Sequence, residues 1–293
     1  MVVIMSEFRK IYKKIPWFFR DRISFVKIFG RFPNIKKPKT FNEKVLYRKR
    51  HACFTDPVYS ILADKYLVRD YVSNKIGDEY LIPLLDSFDS VGEIKLRIGK
   101  YSDFVLKPNH GAGMVKIIDK ITCDIDVDNI LKVADEWMET DYAKMAGEVH
   151  YAKIKRKILV EKRIGEKKTF LVDYKIHLFK NNNNDDFSFV LQIIDDRFVG
   201  ELNRTFYLDD LNNAYSGGHK LDAGHVDKIK KALELSKVLI GDLEYARIDW
   251  YINGGALYFG EITLTPAAGL GRGYGQELDL LMGAKWDMML APR

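Results

Sequence analysis

Two carboxylates, Asp249 and Glu261, stand in the stretch YARIDWYINGGALYFGEITLTPAAGLGR, residues 245 to 272. Its alternation predicts two strands joined at Asn253-Gly254-Gly255, a three-residue loop of the kind that commonly closes a hairpin. From Tyr245 to Ile252 the odd positions carry Tyr245, Arg247, Asp249 and Tyr251, and the even ones Ala246, Ile248, Trp250 and Ile252. The return strand presents Leu257, Phe259, Glu261 and Thr263 in phase, so this register sets Asp249 opposite Phe259 and diagonal to Glu261. Two carboxylates on one face can share a hard divalent cation such as Mg²⁺, which takes oxygen ligands and few of them from protein. A half-solvated hairpin with charged outer residues explains the same pattern, because a hairpin specifies a fold and not a function.

A second constellation lies upstream. Asp103-Phe104-Val105-Leu106-Lys107-Pro108 reads as a strand running into Asn109-His110-Gly111-Ala112-Gly113. Small residues let backbone N–H groups approach phosphate oxygens, and a lysine adds a point charge. The spacing is not that of a P-loop, and a plain hairpin turn explains it equally well. Lys65, beside Asp64 in PVYSILADKYLVRDYVSNKI (57 to 76), falls in a mostly helical pattern ended by Gly77, where an exposed helix lysine is the ordinary reading. His110, His177, His219 and His225 have no metal-ligand spacing, and Cys53 and Cys123 are too far apart to suggest a zinc site, which points to a reduced, cytoplasmic compartment.

The elements that must position these residues follow from periodicity. Thr40 and Glu43 fit a capping box after Pro38. Strands are expected at 81–85, 103–108, 115–119, 157–165, 171–179 and 187–194, with helices over 126–144 and 225–240. Strands outnumber the short helices and hairpins recur, which favours a mixed, mainly antiparallel α+β body over a doubly wound sheet. The first 50 residues hold 15 Lys and Arg against 3 Asp and Glu, whereas the remainder holds 32 against 38. Basicity therefore belongs to an N-terminal arm, in which Phe8, Ile11, Tyr12, Ile15 and Phe19 recur at helical spacing. Such an arm can lie on an anionic membrane surface or pack on the body with a solvated basic face. Nucleic acid is a poor fit, since the rest of the chain is acidic and no stacking or groove-reading motif is present. No apolar run approaches the length of a bilayer span, and the N-terminus lacks a signal peptide's uninterrupted apolar core.

Taken in order, several short blocks resemble the TupA-like branch of the ATP-grasp superfamily, named after teichuronopeptide biosynthesis. They are PKTFNEK (38 to 44), LADKY (62 to 66), YLIPL (80 to 84), FVLKPNHG (104 to 111), DYK (173 to 175), ARID (246 to 249) and FGEITLTP (259 to 266). The resemblance implies an ATP-grasp fold in which two mainly antiparallel sheets sandwich ATP. A basic helical arm, residues 1–56, stands in place of the usual N-terminal domain, and the ATP-grasp body spans 57–293, divided at 57–164 and 165–293. It implies that Lys65 and Lys107 grip phosphates under a loop from Asn109 through His110 and Gly111 to Gly113. Glu161, Lys162 and Ile164 would meet adenine, largely through backbone groups, and Asp173 the ribose, with Lys175 directed at the phosphates. Asp249 and Glu261 match the Mg²⁺ carboxylates. Thr263 stands where many relatives carry Asn, and its hydroxyl can reach a magnesium-bound water. Arg247 matches an arginine that stabilises a developing oxyanion.

The activity so implied is an ATP-dependent carboxylate–amine ligase working through an acyl phosphate. It would join an amino acid or amine to a uronic-acid carboxyl of a bacterial surface polysaccharide or its precursor, polymer or nucleotide-linked. The location so expected is cytoplasmic, and the basic, aromatic arm is consistent with peripheral contact at the inner face of the cell membrane. A kinase on the same fold is the alternative.

Overall fold

The computed structural model describes residues 15–165, 171–181, 186–195, 203–218 and 220–288. The arm residues before Ile15, and His219, lie outside them. The chain divides into two compact units. One comprises Met1–Ser60, Asp141–Lys153 and Thr265–Arg293, and the other Ile61–Thr140 and Ile154–Leu264. Among the described residues no helix is long and apolar enough to cross a membrane.

The first unit is built around a polar helix that is nonetheless buried. Helix α1 is Trp17–Phe29 and α2 is Phe41–Arg50. The expected capping box forms, with the Glu43 N–H donating to Thr40 Oγ1 at 3.3 Å and the Thr40 N–H to Glu43 Oε2 at 3.2 Å. Asn42, Glu43, Arg48 and Lys49 of α2 are all buried, and buried polar groups persist only when paired. Lys49 meets Asp21 of α1 at 3.1 Å, Glu43 meets Arg31, and Arg48 lies over the Trp286 ring at 4.3 Å. The Asn42 backbone and side-chain N–H groups both donate to Asp279, at 2.8 and 2.9 Å. Helix α1 thus packs within its unit through Asp21 and Phe25, leaving Phe18, Phe19 and Ile23 exposed.

The second unit is α+β with two antiparallel sheets. Helix α3 (Val68–Ile76) precedes β1 (Leu84–Phe88), β2 (Phe104–Pro108) and β3 (Lys116–Ile118). Helix α4 (Asp124–Glu139) and β4 (Ile158–Lys162) complete a four-stranded sheet of order β1-β4-β2-β3. One face packs Phe88, Phe104, Leu106, Ile158 and Val160 against Ile130 and Ala134 of α4. Five further strands are β5 (Asp173–Lys180), β6 (Phe187–Asp195), β7 (Asn203–Leu208), β8 (Tyr245–Asn253) and β9 (Ala256–Thr263), in the order β7-β6-β5-β8-β9. Helix α5 (Val226–Leu239) covers their apolar face, where the Trp250 indole N–H donates to Ser236 at 2.9 Å. Strand β7 closes this sheet at its edge. Its Phe206 and Tyr207 are buried.

Two local expectations are corrected, and both concern the site. The helix expected over 57–76 is interrupted: Val58–Ala63 and α3 are separate, and Lys65 sits in the turn between them. Asp64 causes the break, because its carboxylate accepts the backbone N–H of Tyr66 at 2.8 Å and of Leu67 at 3.3 Å, a local bond that competes with helix propagation. In the β8–β9 hairpin the loop is two residues, Gly254-Gly255, between the paired Asn253 and Ala256. Both glycines have positive φ, 55° and 76°, as the primed hairpin turn requires. Trp250 pairs with Phe259 and Asp249 with Glu261, leaving Gly260 as an extra residue in a β-bulge. A Cβ on Gly260 would lie 3.0 Å from the Asp249 carbonyl oxygen, so glycine admits the close approach. The bulge shifts the alternation by one. Leu257 and Phe259 join the buried face with Trp250, whereas Glu261 and Thr263 join Asp249 and Arg247 on the other.

Candidate functional site

The polar face of β5, β8 and β9 carries charges in alternation. Asp173, Lys175 and His177 follow one another on β5, and the register sets Lys175 opposite Asp249 and His177 opposite Arg247. Across the next ladder Asp249 faces Glu261 and Arg247 faces Thr263. Arg247 clamps Asp249 through two parallel bonds, Nε to Oδ1 at 2.7 Å and Nη2 to Oδ2 at 2.8 Å. The same Nη2 reaches Glu261 Oε1 at 3.1 Å and Thr263 Oγ1 at 2.8 Å. Lys175 donates to Asp249 and lies 3.7 Å from Asp173. Lys65 Nζ approaches Glu261 Oε2 at 3.6 Å and donates to the Gly111 carbonyl at 2.5 Å. Asp173, Lys175, Asp249, Arg247, Glu261 and Lys65 therefore form one run of alternating sign.

This arrangement sets the ionisation of its members. Burial disfavours the Glu261 carboxylate, but Lys65, Arg247 and Lys175 together outweigh it and hold the group well below the usual carboxylate range. Burial lowers the Lys65 ammonium, with Glu261 opposing and the nearby Lys107 adding to the fall. His177 is held neutral by full burial and by the Arg247 charge. Its ring bonds Tyr245 at 2.8 Å, so it supports the strand pair from within.

The other sheet contributes a second charge cluster. Lys107 on β2 pairs with Glu161 on β4 at 2.6 Å, and Arg69 of α3 reaches Glu161 at 3.4 Å and the Ile82 carbonyl at 2.8 Å. Glu161, expected at adenine largely through backbone groups, has its side chain buried against these two cations. Lys162 is exposed and its backbone N–H bonds Pro83 at 2.9 Å, and Ile164 is half-buried in the segment leaving the strand.

The side chains of Asn109 and His110 are engaged within the protein. The Asn109 side chain is fully buried and donates to Asp64 and to the Lys155 carbonyl, both at 2.9 Å. His110 turns inward, with Nε2 3.1 Å from the Trp137 carbonyl. Neither side chain is presented to a ligand, and what remains open in the loop is the glycine backbone. Gly111 and Gly113 have φ of 110° and 76°, and nothing stands within 4 Å of a Cβ built on Gly113.

The structure brings Lys65, Lys175, Arg247, Asp249, Glu261 and Thr263 into one contact network, with Asp173 at its end and Lys107 of the other sheet near Lys65. Sequence reasoning missed Arg69, Asp64 as a positioning group, and Gly260. For Asp64 a signal existed, since Asp commonly caps a turn. Arg69 gave none, because its partner is 92 residues away.

No group of three or more His, Cys, Asp or Glu side chains able to hold a metal occurs among the described residues. The Asp249–Glu261 pair nonetheless fits a Mg²⁺ that takes one or two protein carboxylates and completes its shell with phosphate oxygens and water. Both carboxylates lie directly across one ladder, and the Glu261 side chain is 30% exposed.

No curated protein matches this chain. Among solved structures it is similar to N5-carboxyaminoimidazole synthetase from Staphylococcus aureus, at 16% identity and a TM-score of 0.43 over 70% of this chain and 45% of that one. It is similar to D-alanine-D-alanine ligase from Helicobacter pylori, at 17% identity and a TM-score of 0.46 over 77% and 61%. A third is the L-amino acid ligase from Bacillus licheniformis, at 14% identity and a TM-score of 0.42 over 66% and 41%. The chain spans about half the length of these proteins. Likenesses this distant carry no weight for substrate or reaction. The family described as TupA-like ATPgrasp is a different matter: its profile matches residues 43–287, most of the chain, and the protein belongs to that family.

Proposed function

We propose that this protein is an ATP-dependent ligase that activates a carboxylate as an acyl phosphate and couples it to an amine. The observation that carries this reading is the convergence of Lys65, Arg247 and Lys175 on the paired carboxylates Asp249 and Glu261, with Lys107 of the other sheet near Lys65. Phosphoryl transfer asks for positioning and charge stabilisation more than for covalent chemistry, and this inventory supplies both. Lys65 and Lys107 bind phosphate oxygens, and the backbone of Gly111 to Gly113 closes over them. Asp249 and Glu261 would hold Mg²⁺, which when bound neutralises phosphate charge. Thr263 orients Glu261 through its 3.1 Å bond to Oε1. Arg247, bidentate on Asp249, would stabilise the charge that develops on transfer.

In the first step a substrate carboxylate oxygen bonds to the γ-phosphorus while the bond to the bridging oxygen breaks and ADP leaves with that electron pair. In the second, the amine nitrogen bonds to the acyl carbon, phosphate leaves with the C–O pair, and a proton passes to solvent. The proposed carboxylate is a uronic acid of a bacterial surface polysaccharide or of its nucleotide-linked precursor, the class implied by the family resemblance, and the amine is an amino acid or simple amine. Peripheral contact with an anionic membrane through residues 1–30 belongs to the same proposal. It is supported by the exposed Phe18, Phe19 and Ile23 beside Arg22 and Lys27.

The test is ATP turnover on a uronic acid with and without an amine. ADP and free phosphate that depend on the amine support the ligase, whereas phosphate retained on the sugar would replace it with a kinase. For the membrane contact, Phe19→Ser with Ile23→Ser should abolish sedimentation with phosphatidylglycerol vesicles, and unchanged sedimentation would remove that part.

A further inference from the structure

Asn109 uses every polar atom it has. Its side-chain N–H groups go to Asp64 Oδ1 and the Lys155 carbonyl, both at 2.9 Å, and its Oδ1 accepts the Lys157 N–H at 2.8 Å. Its backbone N–H donates to the Lys157 carbonyl at 3.0 Å, and its carbonyl accepts the backbone N–H of Lys65 at 3.1 Å. Asp64 is 2% exposed, and its contacts are neutral N–H donors: Asn109, Tyr66 and Leu67. Burying a carboxylate without a cation in contact is costly, and a simple turn does not need one, since Ser or Asn caps a turn without that cost.

Two lysines adjoin this pair. Lys65 is the residue after Asp64, tied to Asn109 through its backbone, and Lys107 precedes Asn109 by two residues on β2. The two ammonium groups lie near enough to repel each other. Long side chains carrying like charge do not settle side by side unless their backbones are fixed and a negative charge stands near.

We propose that the buried Asp64–Asn109 pair is a positioning latch that sets the spacing of Lys65 and Lys107 for the phosphates of a nucleotide. This rests on the reading of these lysines given above. The latch ties the turn at Lys65 to the end of β2 and to the segment entering β4, so the two cations belong to one rigid frame although they come from separate parts of the chain. Glu261 beside Lys65 and Glu161 beside Lys107 supply the opposing charge, and the latch fixes the backbones from which the two lysines extend.

The experiment compares the affinities of the full-length protein for ADP and for adenosine, with thermal melting followed in parallel. Asn109→Asp removes two donors and sets a like charge against Asp64. It should weaken ADP binding by about tenfold to a hundredfold, the scale of a misplaced contact group, and leave adenosine binding unchanged. Adding Asp64→Asn restores a donor–acceptor pair and should recover much of the ADP affinity. Asn109→Ser, which loses the reach to Asp64 without adding charge, gives the same reading should Asn109→Asp lack a cooperative melt. Equal effects on ADP and adenosine, or none on either, would overturn the latch. Failure of the unaltered protein to bind ADP would instead overturn the nucleotide reading on which it rests.

Discussion

Glu261 and Asp249 face each other across one ladder, yet their surroundings make them unequal experimental targets. The Asp249 side chain is 2% exposed and carries both the Arg247 clamp and the Lys175 bond, whereas that of Glu261 is 30% exposed. Glu261→Gln keeps shape and hydrogen bonding while removing charge. It should cut turnover by about a hundredfold or more and lower stability less than Asp249→Asn does, since the Glu261 side chain is the more exposed of the two. Asp249→Asn should lose activity to a similar degree and in addition cost about 3–5 kcal/mol, since it leaves buried cations short of a partner. Equal stability of the two variants in urea would contradict this placement. The chemistry of these side chains was legible in the sequence because residue type alone limits what Asp, Glu, Lys and Arg can do. The partners of Glu161, Asn109 and His110 were not. Each sits in a motif where a ligand contact is a natural expectation, but tertiary neighbours claim the side chain: Lys107 and Arg69 for the first, Asp64 for the second, the end of α4 for the third.

Among the elements, the β8–β9 hairpin carries most of the consequence. Strict alternation would put Leu257 and Phe259 beside Glu261, and one extra residue at Gly260 corrects this. Such a bulge is invisible to a period of two, because it breaks the period. Gly260→Val should therefore do more than cost stability. Its branched side chain meets the Asp249 carbonyl oxygen and the Tyr251 ring, and relieving that contact forces the register. We expect a loss of about 1–3 kcal/mol together with at least about a tenfold fall in turnover as Glu261 leaves Asp249. A variant destabilised but fully active would show that the bulge does not position the carboxylates. The break at Asp64 is a comparable case. Helical periodicity runs through residues 58 to 76, and only the side-chain bonds of Asp64 show why Lys65 leaves the helix.

At the scale of the whole molecule, the α+β class and the antiparallel pairing followed from strand spacing, whereas the grouping of residues 141–153 and 265–293 with the N-terminal segment did not. That grouping depends on contacts such as Asn42 with Asp279, 237 residues apart. Ionisation also acts on the molecule as a whole. Burial lowers the pKa of His110 and His177 and pushes His150 down to about 3. Each is neutral in the folded state but titrates near its ordinary value when unfolded, so the stability they support is present above about pH 6.5 and is lost as pH falls below it. Each contributes at most about 1.4 kcal/mol per pH unit. At lower pH the buried carboxyls of Asp21, Asp64, Glu148 and Asp279, all raised by burial, act in the opposite sense. The melting temperature should drop between about pH 7.5 and pH 6, and His177→Gln should flatten that drop. A flat profile in the parent protein would contradict it. The central claim, carboxylate activation by ATP, is tested most directly by following a uronic acid labelled with heavy oxygen in its carboxyl group. An acyl phosphate route predicts one heavy oxygen in the free phosphate for each amide formed, and release of wholly unlabelled phosphate, or its retention on the sugar, would contradict it.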